Sequence, residues 1–561
     1  MGRETNIDSI LALEEQIREH EMAAIRLKRA RNSLLNVSKL PPELLGDIFR
    51  WNVTPKHDFD GLDKRSHNFI LVCHHWFEVA SGTPDLWSFW GNTPKDWARR
   101  CHLSGTASLD LVLGGFDYDH DECHLDTTLR NVLRDRATRD TIRRVHLVAQ
   151  YPELLSSVLA LLTANCEEPR SNSTESLILR SQNRTAVDVS DFFAHYRFPK
   201  LQRLDLFNCT ISSWDHLTSR TSALTTLELD LNHPSPTPTA SKLLSILASN
   251  PSLRKVSLAG RAVPGSGGAE SPIRVRLRHL KELRLEGDPR HVVSLLHRLN
   301  HPRNMDSLFL TFRDSNVTDI SQIIGPCLQD HLRRRDKPQN GLNLRVSTEN
   351  PARYRAHRID FQAGDAGRID FSAPGRELMD TFIGIVILLN GTPHKSMIER
   401  AAFDLITYTP LEEVIYFHTH SIPIAMEDTC IQFPNLRALS FNTIPLPAAL
   451  PNPYLIADGK TFPSLEHISL DRVDVDSGDW TPLTTFLAYR VFSGNQLDTL
   501  QIAGSPHMSQ EVMEDIKGMV RELKIDNPVD TRSVTSASSL APLSFIHSPV
   551  PVEVYLRRFA S

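Results

Sequence analysis

The stretch that decides the fold reads Leu201-Gln202-Arg203-Leu204-Asp205-Leu206-Phe207-Asn208-Cys209. The same spacing returns at Leu224-Thr225-Thr226-Leu227-Glu228-Leu229-Asp230-Leu231-Asn232. Successive side chains of a strand point to opposite faces, so the leucines of each copy share one face and the residues between them share the other. A strand this short buries little by itself, and the pattern therefore predicts strands that pair with neighbouring copies.

Looser copies of the pattern follow along the chain. They begin at Leu253, Leu280, Met305, Leu411, Leu436, Leu465 and Leu497. Starts separated by roughly 20–30 residues are typical of leucine-rich repeats. We therefore expect an α/β chain in which an irregular leucine-rich-repeat solenoid, shaped as a horseshoe, follows a short helix and a small all-α module. The stretch 311–410 does not fit the pattern, and we expect distorted repeats or an insertion there.

Composition divides the chain into four parts. They are a charged amphipathic helix over 8–35, a helical module over 38–97, the leucine-rich region over 100–527 and a mostly flexible tail over 528–561, where Ser, Thr, Ala and Pro dominate. This division is the predicted domain organisation.

The first helix has apolar residues at heptad spacing, among them Ile10, Leu13, Ile17 and Leu27. The stripe covers few heptads and has polar interruptions. It is compatible with a weak homodimer through a short coiled coil over 8–35, but the short and interrupted seam favours a helix that lies along the next domain.

The module over 38–97 contains five of the seven tryptophans. Pro41-Pro42 suits the first turn of a helix. Leu44, Leu45, Ile48 and Phe49 follow at helical spacing and predict one apolar face. Short helices cannot enclose so many large side chains, so apolar surface should remain for a partner.

Four segments of this module together resemble an F-box. They are Leu40-Pro41-Pro42-Glu43-Leu44-Leu45, then Ile48-Phe49, then Val72-Cys73-His74-His75-Trp76, then Pro84-Asp85-Leu86-Trp87-Ser88. With the leucine-rich region behind them, they are similar to the F-box-like proteins of basidiomycete fungi. The resemblance implies that the module binds the small adaptor subunit of an SCF-type (cullin–RING) ubiquitin ligase. The expected adaptor-binding residues are Leu40, Pro41, Pro42, Glu43, Leu44, Leu45, Ile48, Phe49, Val72 and Trp76. The alternative is that residues 40–90 only cap the repeats.

A client protein is expected on the concave face of the repeats, where the residues between the leucines point. The candidate residues are Arg203, Asp205, Phe207, Glu228, Asp230, Arg284 and Glu286. Asp205, Glu228 and Asp230 suggest an acidic patch, which would suit a basic peptide or consist of ordinary solvated carboxylates.

Several classes of function are not expected. The net charge of −5 argues against nucleic-acid binding, and no apolar run reaches the 18 or so residues of a membrane span. The seven cysteines form no Cys-x-x-Cys pair, and no catalytic motif, metal site or cofactor site is recognisable. We therefore expect a non-catalytic, cytoplasmic or nuclear subunit that recruits a client protein to a ubiquitin ligase. The rivals are a protein-binding scaffold unconnected with ubiquitin and an enzyme with a site across several repeats.

Overall fold

The computed structural model describes residues 4–53, 68–90, 102–105, 107–113, 127–149, 151–164, 170–171, 173–183, 185–232, 237–265, 274–300, 305–334, 342–349, 357–365, 381–389, 395–409, 414–420, 433–442, 462–473, 475, 479–504 and 508–525. The predicted tail over 528–561 and the end of the predicted module over 91–97 lie outside the described residues. The chain divides into two compact units, residues 1–237 and 238–561.

Unit 1 begins with three helices. They are α1 (Glu4–Ser33), α2 (Pro42–Val53) and α3 (His74–Ser81), with 3-10 turns at Asn36–Lys39, Asn68–Leu71 and Pro84–Leu86. Pro42 is the first residue of α2, where its missing N–H costs nothing. Gly82 caps the end of α3. In the described part of the chain, no helix has the length and apolar character needed to cross a membrane.

The rest of unit 1 alternates strands and helices. The strands of its main sheet, in the described residues, are β1 (Phe89–Trp90), β2 (Leu109–Leu113), β3 (Ile142–Ala149), β4 (Ser176–Ser181), β5 (Arg203–Phe207) and β6 (Thr226–Leu231). From β2 onward, each strand pairs in parallel with the one before it. The helices are α4 (Thr127–Arg134), α5 (Arg136–Asp140), α6 (Pro152–Thr163), α7 (Ser190–His195) and α8 (Asp215–Arg220). Further two-residue pairs join Arg170–Ser171 to Tyr196–Arg197 and Val187–Asp188 to Cys209–Thr210.

Unit 2 has a longer and mixed set of strands. They are β7 (Lys255–Gly260), β8 (Glu282–Gly287), β9 (Ser307–Ser315), β10 (Leu342–Glu349), β11 (His357–Asp365), β12 (Thr381–Leu389), β13 (Val414–His420), β14 (Ala438–Asn442), β15 (His467–Asp471), β16 (Leu497–Ala503) and β17 (Val520–Ile525). The helices are α9 (Ala240–Ser249), α10 (Pro289–Arg298), α11 (Val317–Asp319), α12 (Gly325–Arg334), α13 (Lys395–Thr407), α14 (Thr481–Phe492) and α15 (Gln510–Met519). A π-helical segment, Ile320–Ile324, connects α11 to α12, and Val275–Arg276 pairs with Leu299–Asn300.

The strand pairing of unit 2 changes direction in the middle. Strands β7, β8 and β9 are parallel, and β9 pairs in parallel with β12. Strand β11 then pairs antiparallel with both β12 and β10. From β10 onward the pairing is parallel again, through β13 to β17. The antiparallel strands lie in the stretch where the leucine pattern is lost.

The leucine pattern places the parallel strands correctly. In β5 and β6 the residues Leu204, Leu206, Leu227 and Leu229 are all at most 1% exposed. The strands pair with Leu204 opposite Leu227 and Leu206 opposite Leu229, so the buried leucines form continuous rows. Burial of these rows stabilises the sheet at about 25 cal/mol per Å² of apolar surface.

The predicted fold class was nevertheless wrong. The chain is a mixed α/β protein whose units are built on large, mainly parallel sheets, and not an all-α F-box-like module followed by a leucine-rich-repeat solenoid. The predicted all-α module contributes β1 to the sheet of unit 1, and unit 2 contains antiparallel strands. A leucine pattern shows which strands have a buried face, but it carries no information on the layers around them or on segments that lack the pattern.

Arginines near helix ends bind backbone carbonyls from distant parts of the chain. Arg139 of α5 donates to the carbonyl oxygens of Leu162 and Ala164, at 2.9 and 2.6 Å. Arg220 of α8 donates to the carbonyl oxygens of Phe193 and Ala194 at the end of α7, at 2.9 and 2.5 Å. A cation is favourable at these carbonyl-rich helix ends, and each arginine ties one helical connection to another.

Arg490 in α14 makes the same kind of contact in unit 2. It is 4% exposed and donates to the carbonyl oxygens of Phe462 and Leu465, at 3.0 and 2.7 Å. Burial lowers the pKa of its guanidinium to about 10.

Replacing Arg490 by methionine is expected to lower the unfolding free energy by about 1–3 kcal/mol, because buried carbonyls lose their donors. Urea unfolding of the two proteins measures the difference. Arg472→Met is the control, since the side chain of Arg472 is 64% exposed and should matter by less than about 0.5 kcal/mol. Equal effects of the two changes would contradict the structural role of Arg490.

Candidate functional site

Helix α2 separates its apolar residues onto two faces. Leu45 and Phe49 are fully buried, whereas Leu44, Ile48 and Trp51 are 52%, 44% and 82% exposed. The exposed residues are spaced i, i+4 and i+7, which places them in one row on the helix. We call Leu44, Ile48 and Trp51 the α2 stripe.

The buried face of α2 rests on an aromatic core. The ring of Phe49 stacks on that of Phe69 with 4.4 Å between centroids, and the ring of Trp76 lies 5.1 Å away. The indole Nε1 of Trp87 donates to the carbonyl oxygen of Ala80 at 2.7 Å. The whole core consists of Leu45, Phe49, Phe69, Val79, Ala80, Leu86 and Trp87. Because the buried side of α2 packs on this core, the position of the α2 stripe within the module is well defined.

Other apolar side chains of the module are also exposed. Leu71 is 81%, Val72 56% and Phe77 36% exposed, and they belong to the 68–71 turn, the residue after it and α3. Monomeric proteins expose isolated apolar side chains routinely, but a group of them on one small module is a candidate interaction surface.

Two exposed ion pairs lie near the C-terminal end of α2. Arg50 pairs with Asp47 at 2.5 Å on the same helix and with Asp85 at 3.4 Å on the 84–86 turn. All three side chains are at least 45% exposed, so the ion pairs contribute little to stability. They place exposed polar groups at positions next to Ile48 and Trp51 in the sequence of α2.

The structure divides the predicted adaptor-binding residues into two sets. Pro41, Pro42, Glu43, Leu44, Ile48 and Val72 are exposed. Leu45 and Phe49, predicted to contact the adaptor, are at 0% exposure and belong to the core, because their side of α2 packs on the aromatic rings of Phe69 and Trp76. Leu40 and Trp76 are half-buried, and Trp76 packs against the core.

Sequence reasoning missed three exposed residues, Trp51, Leu71 and Phe77. The signal for Trp51 was available, since a row through Leu44 and Ile48 reaches residue 51 one helical step later. For Leu71 and Phe77 no such signal exists, because their exposure depends on which side of α3 meets α2.

Two arginines pair with two of the three carboxylates of the predicted acidic patch. Arg180 forms a bidentate contact with Asp205 and lies 3.8 Å from Glu228. Arg203 lies 3.8 Å from Asp205 and 3.7 Å from Glu228. Burial raises the pKa of the Asp205 carboxyl, and the positive charge of Arg180 opposes that rise.

This network corrects the prediction of a direct client contact by Asp205. Asp205 is 3% and Asp230 8% exposed, so neither carboxylate is available to a partner in this arrangement. Arg203, Phe207 and Glu228 are half-buried. The sequence pattern missed Arg180, which belongs to the neighbouring strand β4.

The predicted client residues of unit 2 are half-buried and already engaged. The guanidinium of Arg284 lies over the ring of Phe309, 5.2 Å from its centroid. Glu286 accepts a hydrogen bond from Nε of Arg313 at 2.6 Å. These contacts order the surface of β8 and β9 and leave parts of each side chain accessible.

The described ranges contain no recognisable metal-binding site. They contain no group of three or more His, Cys, Asp and Glu side chains that could hold a metal ion. The exposed apolar side chains of the α2 stripe, with Leu71 and Val72, make the surface of the helical module the candidate site. Comparison with known proteins finds no protein-family model that matches the chain and no curated protein that matches it.

Proposed function

We propose that this protein is a non-catalytic substrate-recognition subunit of an SCF-type ubiquitin ligase. In this proposal the helical module over 40–90 binds the adaptor subunit, and the sheet-bearing part of the chain binds a client protein. The observation that carries the proposal is the α2 stripe, an exposed apolar row within the segment that resembles an F-box.

The energetics are consistent with a protein partner. Covering the side chains of Leu44, Ile48 and Trp51 would contribute about 1.5–3 kcal/mol each. Association costs on the order of 4–15 kcal/mol, so further contacts are needed. Leu71 and Val72 offer further apolar surface, and tryptophan is among the commonest hot-spot residues of interfaces.

The mechanism is one of proximity. A client held by this chain is kept close to the ubiquitin-charged enzyme of the ligase, which raises the effective concentration of a client lysine at the reacting bond. The chain itself contributes binding energy and orientation, and none of its side chains takes part in the bond-forming step.

Capture of the adaptor tests the proposal. The full-length protein should retain the purified adaptor subunit on a resin, and Leu44→Asp or Ile48→Asp should reduce that capture at least tenfold, because a charge would be buried in the interface. Phe492→Asp is the matched control, since Phe492 is 90% exposed in unit 2 and should leave capture unchanged.

Two results would contradict the proposal. One is failure of the wild-type protein to capture the adaptor, and the other is equal loss in the Phe492→Asp control. The thermal unfolding midpoints of the Leu44 and Ile48 variants should stay close to that of the wild type, because both residues are exposed.

A second function is favoured by the junction between the module and the sheet. The last residues of the module form strand β1, which pairs with β2, and the backbone N–H of Asp110 donates to the carbonyl oxygen of Ser88 at 2.8 Å. The module therefore also covers one edge of β2, as a cap would. A protein-binding scaffold unconnected with ubiquitin would bind its partner without the adaptor and would tolerate Ile48→Asp.

A further inference from the structure

Helix α1 exposes an apolar row along most of its length. Ile10 is 50%, Leu13 58%, Ile17 57% and Leu27 73% exposed. The prediction that this helix lies along the next domain is not supported, because a helix packed on its own chain would bury these side chains. Nothing in the described residues indicates what covers this row.

Basic residues are concentrated at one edge of unit 2, where strands β7 and β8 begin. Arg254 directly precedes β7, and Lys281 directly precedes β8. The backbone N–H of Lys281 donates to the carbonyl oxygen of Arg254 at 2.7 Å, so the two residues are neighbours. A turn leads into Lys281, in which the backbone N–H of Leu280 donates to the carbonyl oxygen of Leu277 at 3.5 Å.

The segment before this turn brings further arginines to the same edge. Its sequence alternates as Arg274-Val275-Arg276-Leu277-Arg278. Val275 is 3% and Leu277 0% exposed, whereas the three arginines are exposed. The buried pair therefore anchors the segment, and Arg274 and Arg276 project to the solvent side about 7 Å apart along the chain. We call Arg254, Arg274, Arg276, Arg278 and Lys281 the basic ridge.

The basic ridge has few acidic residues to balance it. Lys281 pairs with Asp306 at 3.3 Å, and the neighbouring Glu282 pairs with Lys255 at 3.7 Å. Among the described residues, no ion pair involves any of the arginines of the ridge. A surface of one sign attracts ligands of the opposite charge. A guanidinium also donates two parallel hydrogen bonds to one carboxylate, which lysine cannot do.

The residues around the ridge favour an acidic peptide over other polyanions. Residues 237–300 contain no Phe, Tyr or Trp on which the bases of a single-stranded nucleic acid would stack. No large apolar side chain is exposed in the described part of this range, where a membrane-binding surface would insert one. An extended peptide with an acidic residue at every second position repeats its carboxylates about every 7 Å, which matches the spacing of Arg274 and Arg276.

We infer that the basic ridge binds an acidic, extended segment of a partner protein, with the carboxylates of the segment facing the arginines. The ridge belongs to unit 2 and the helical module to unit 1. The inference therefore goes beyond the proposed function and does not depend on adaptor binding.

Fluorescence anisotropy of a labelled peptide with the full-length protein tests the inference. The probe is a peptide of alternating glutamate and serine about eight residues long, which spans about 26 Å when extended. We expect saturable binding, and Arg254→Gln with Arg276→Gln and Arg278→Gln should raise the dissociation constant at least tenfold. Raising the ionic strength from about 0.05 to 0.5 M should weaken the binding, because exposed charges are screened.

A matched control removes the same charge elsewhere in unit 2. It is Arg400→Gln with Arg472→Gln and Arg521→Gln, whose side chains are 67%, 64% and 69% exposed. The control should leave the dissociation constant within about twofold. Both triple variants should keep thermal unfolding midpoints close to that of the wild type, because they alter only exposed side chains.

Other probes decide the class of partner. A peptide of alternating glutamine and serine should not bind. Tighter binding of an oligothymidylate, or of phosphatidylserine vesicles, than of the acidic peptide would overturn the assignment to a protein partner. No binding of the acidic peptide, or equal effects of the two triple variants, would overturn the inference itself. Leu44→Asp should leave peptide binding unchanged and the ridge variant should leave adaptor capture unchanged, so failure of the proposed function is visible separately.

Discussion

Replacing Phe49 by alanine is expected to destabilise the helical module by about 3–5 kcal/mol. Phe49 is fully buried, its ring stacks on Phe69 and it lies 5.1 Å from the ring of Trp76. Truncation removes apolar burial and leaves a cavity that α3 can fill only by moving. Urea unfolding followed by tryptophan fluorescence measures the change, since Trp76 lies beside the altered position.

Trp51→Ala provides the matched control on the same helix. Trp51 is 82% exposed, so its truncation should alter the unfolding free energy by less than about 0.5 kcal/mol. Under the proposed function it should still weaken adaptor capture. A comparable loss of stability in both variants would show that α2 does not divide into a core face and a binding face.

The candidate site could be predicted in part. Leu44, Leu45, Ile48 and Phe49 are recognisable as helical apolar residues, and the short module could not bury them all. Which pair faces inward depends on Phe69 and Trp76, from a segment that follows α2 only after residues 54–67. The sequence therefore predicted one apolar face where the structure has a buried pair and an exposed pair.

The fold could also be predicted in part. Strands β5 and β6 lie where the leucine spacing places them, because rows such as Leu204–Leu227 must be buried together. The antiparallel strands β10, β11 and β12 follow no repeat and could not be derived from one. The carbonyl contacts of Arg139, Arg220 and Arg490 join residues far apart in the sequence, so no local pattern indicates them.

The buried carboxylate of Asp205 is paired with an arginine that the leucine pattern does not reveal. Its carboxylate is 3% exposed, and Arg180, from the adjacent strand β4, binds it through two nitrogens. The folded protein raises the pKa of this carboxyl above 3.8, mainly through burial. Its contribution to stability is therefore fully present below pH 3.8 and is lost as the pH rises through the folded-state pKa.

Arg180→Met is expected to lower the unfolding free energy by about 3 kcal/mol at neutral pH, because it leaves a buried carboxylate without its main counter-charge. This loss is at the lower end of the range that is usual when one partner of a buried ion pair is removed, since Arg203 remains 3.8 Å from Asp205. Removing the positive charge raises the pKa of Asp205 further, so the deficit of the variant should shrink on acidification. Urea unfolding at neutral and acidic pH measures both effects.

The double variant Arg180→Met with Asp205→Leu separates the ion pair from the packing around it. Removing both charged groups eliminates the buried unpaired carboxylate, and the double variant should therefore recover most of the stability that Arg180→Met loses. The unfolding free energy of the double variant should also no longer depend on pH through residue 205, because the titrating carboxyl is gone. A double variant as unstable as Arg180→Met, with the same pH dependence, would mean that the side chain of Arg180 acts through its apolar stem and not through its charge.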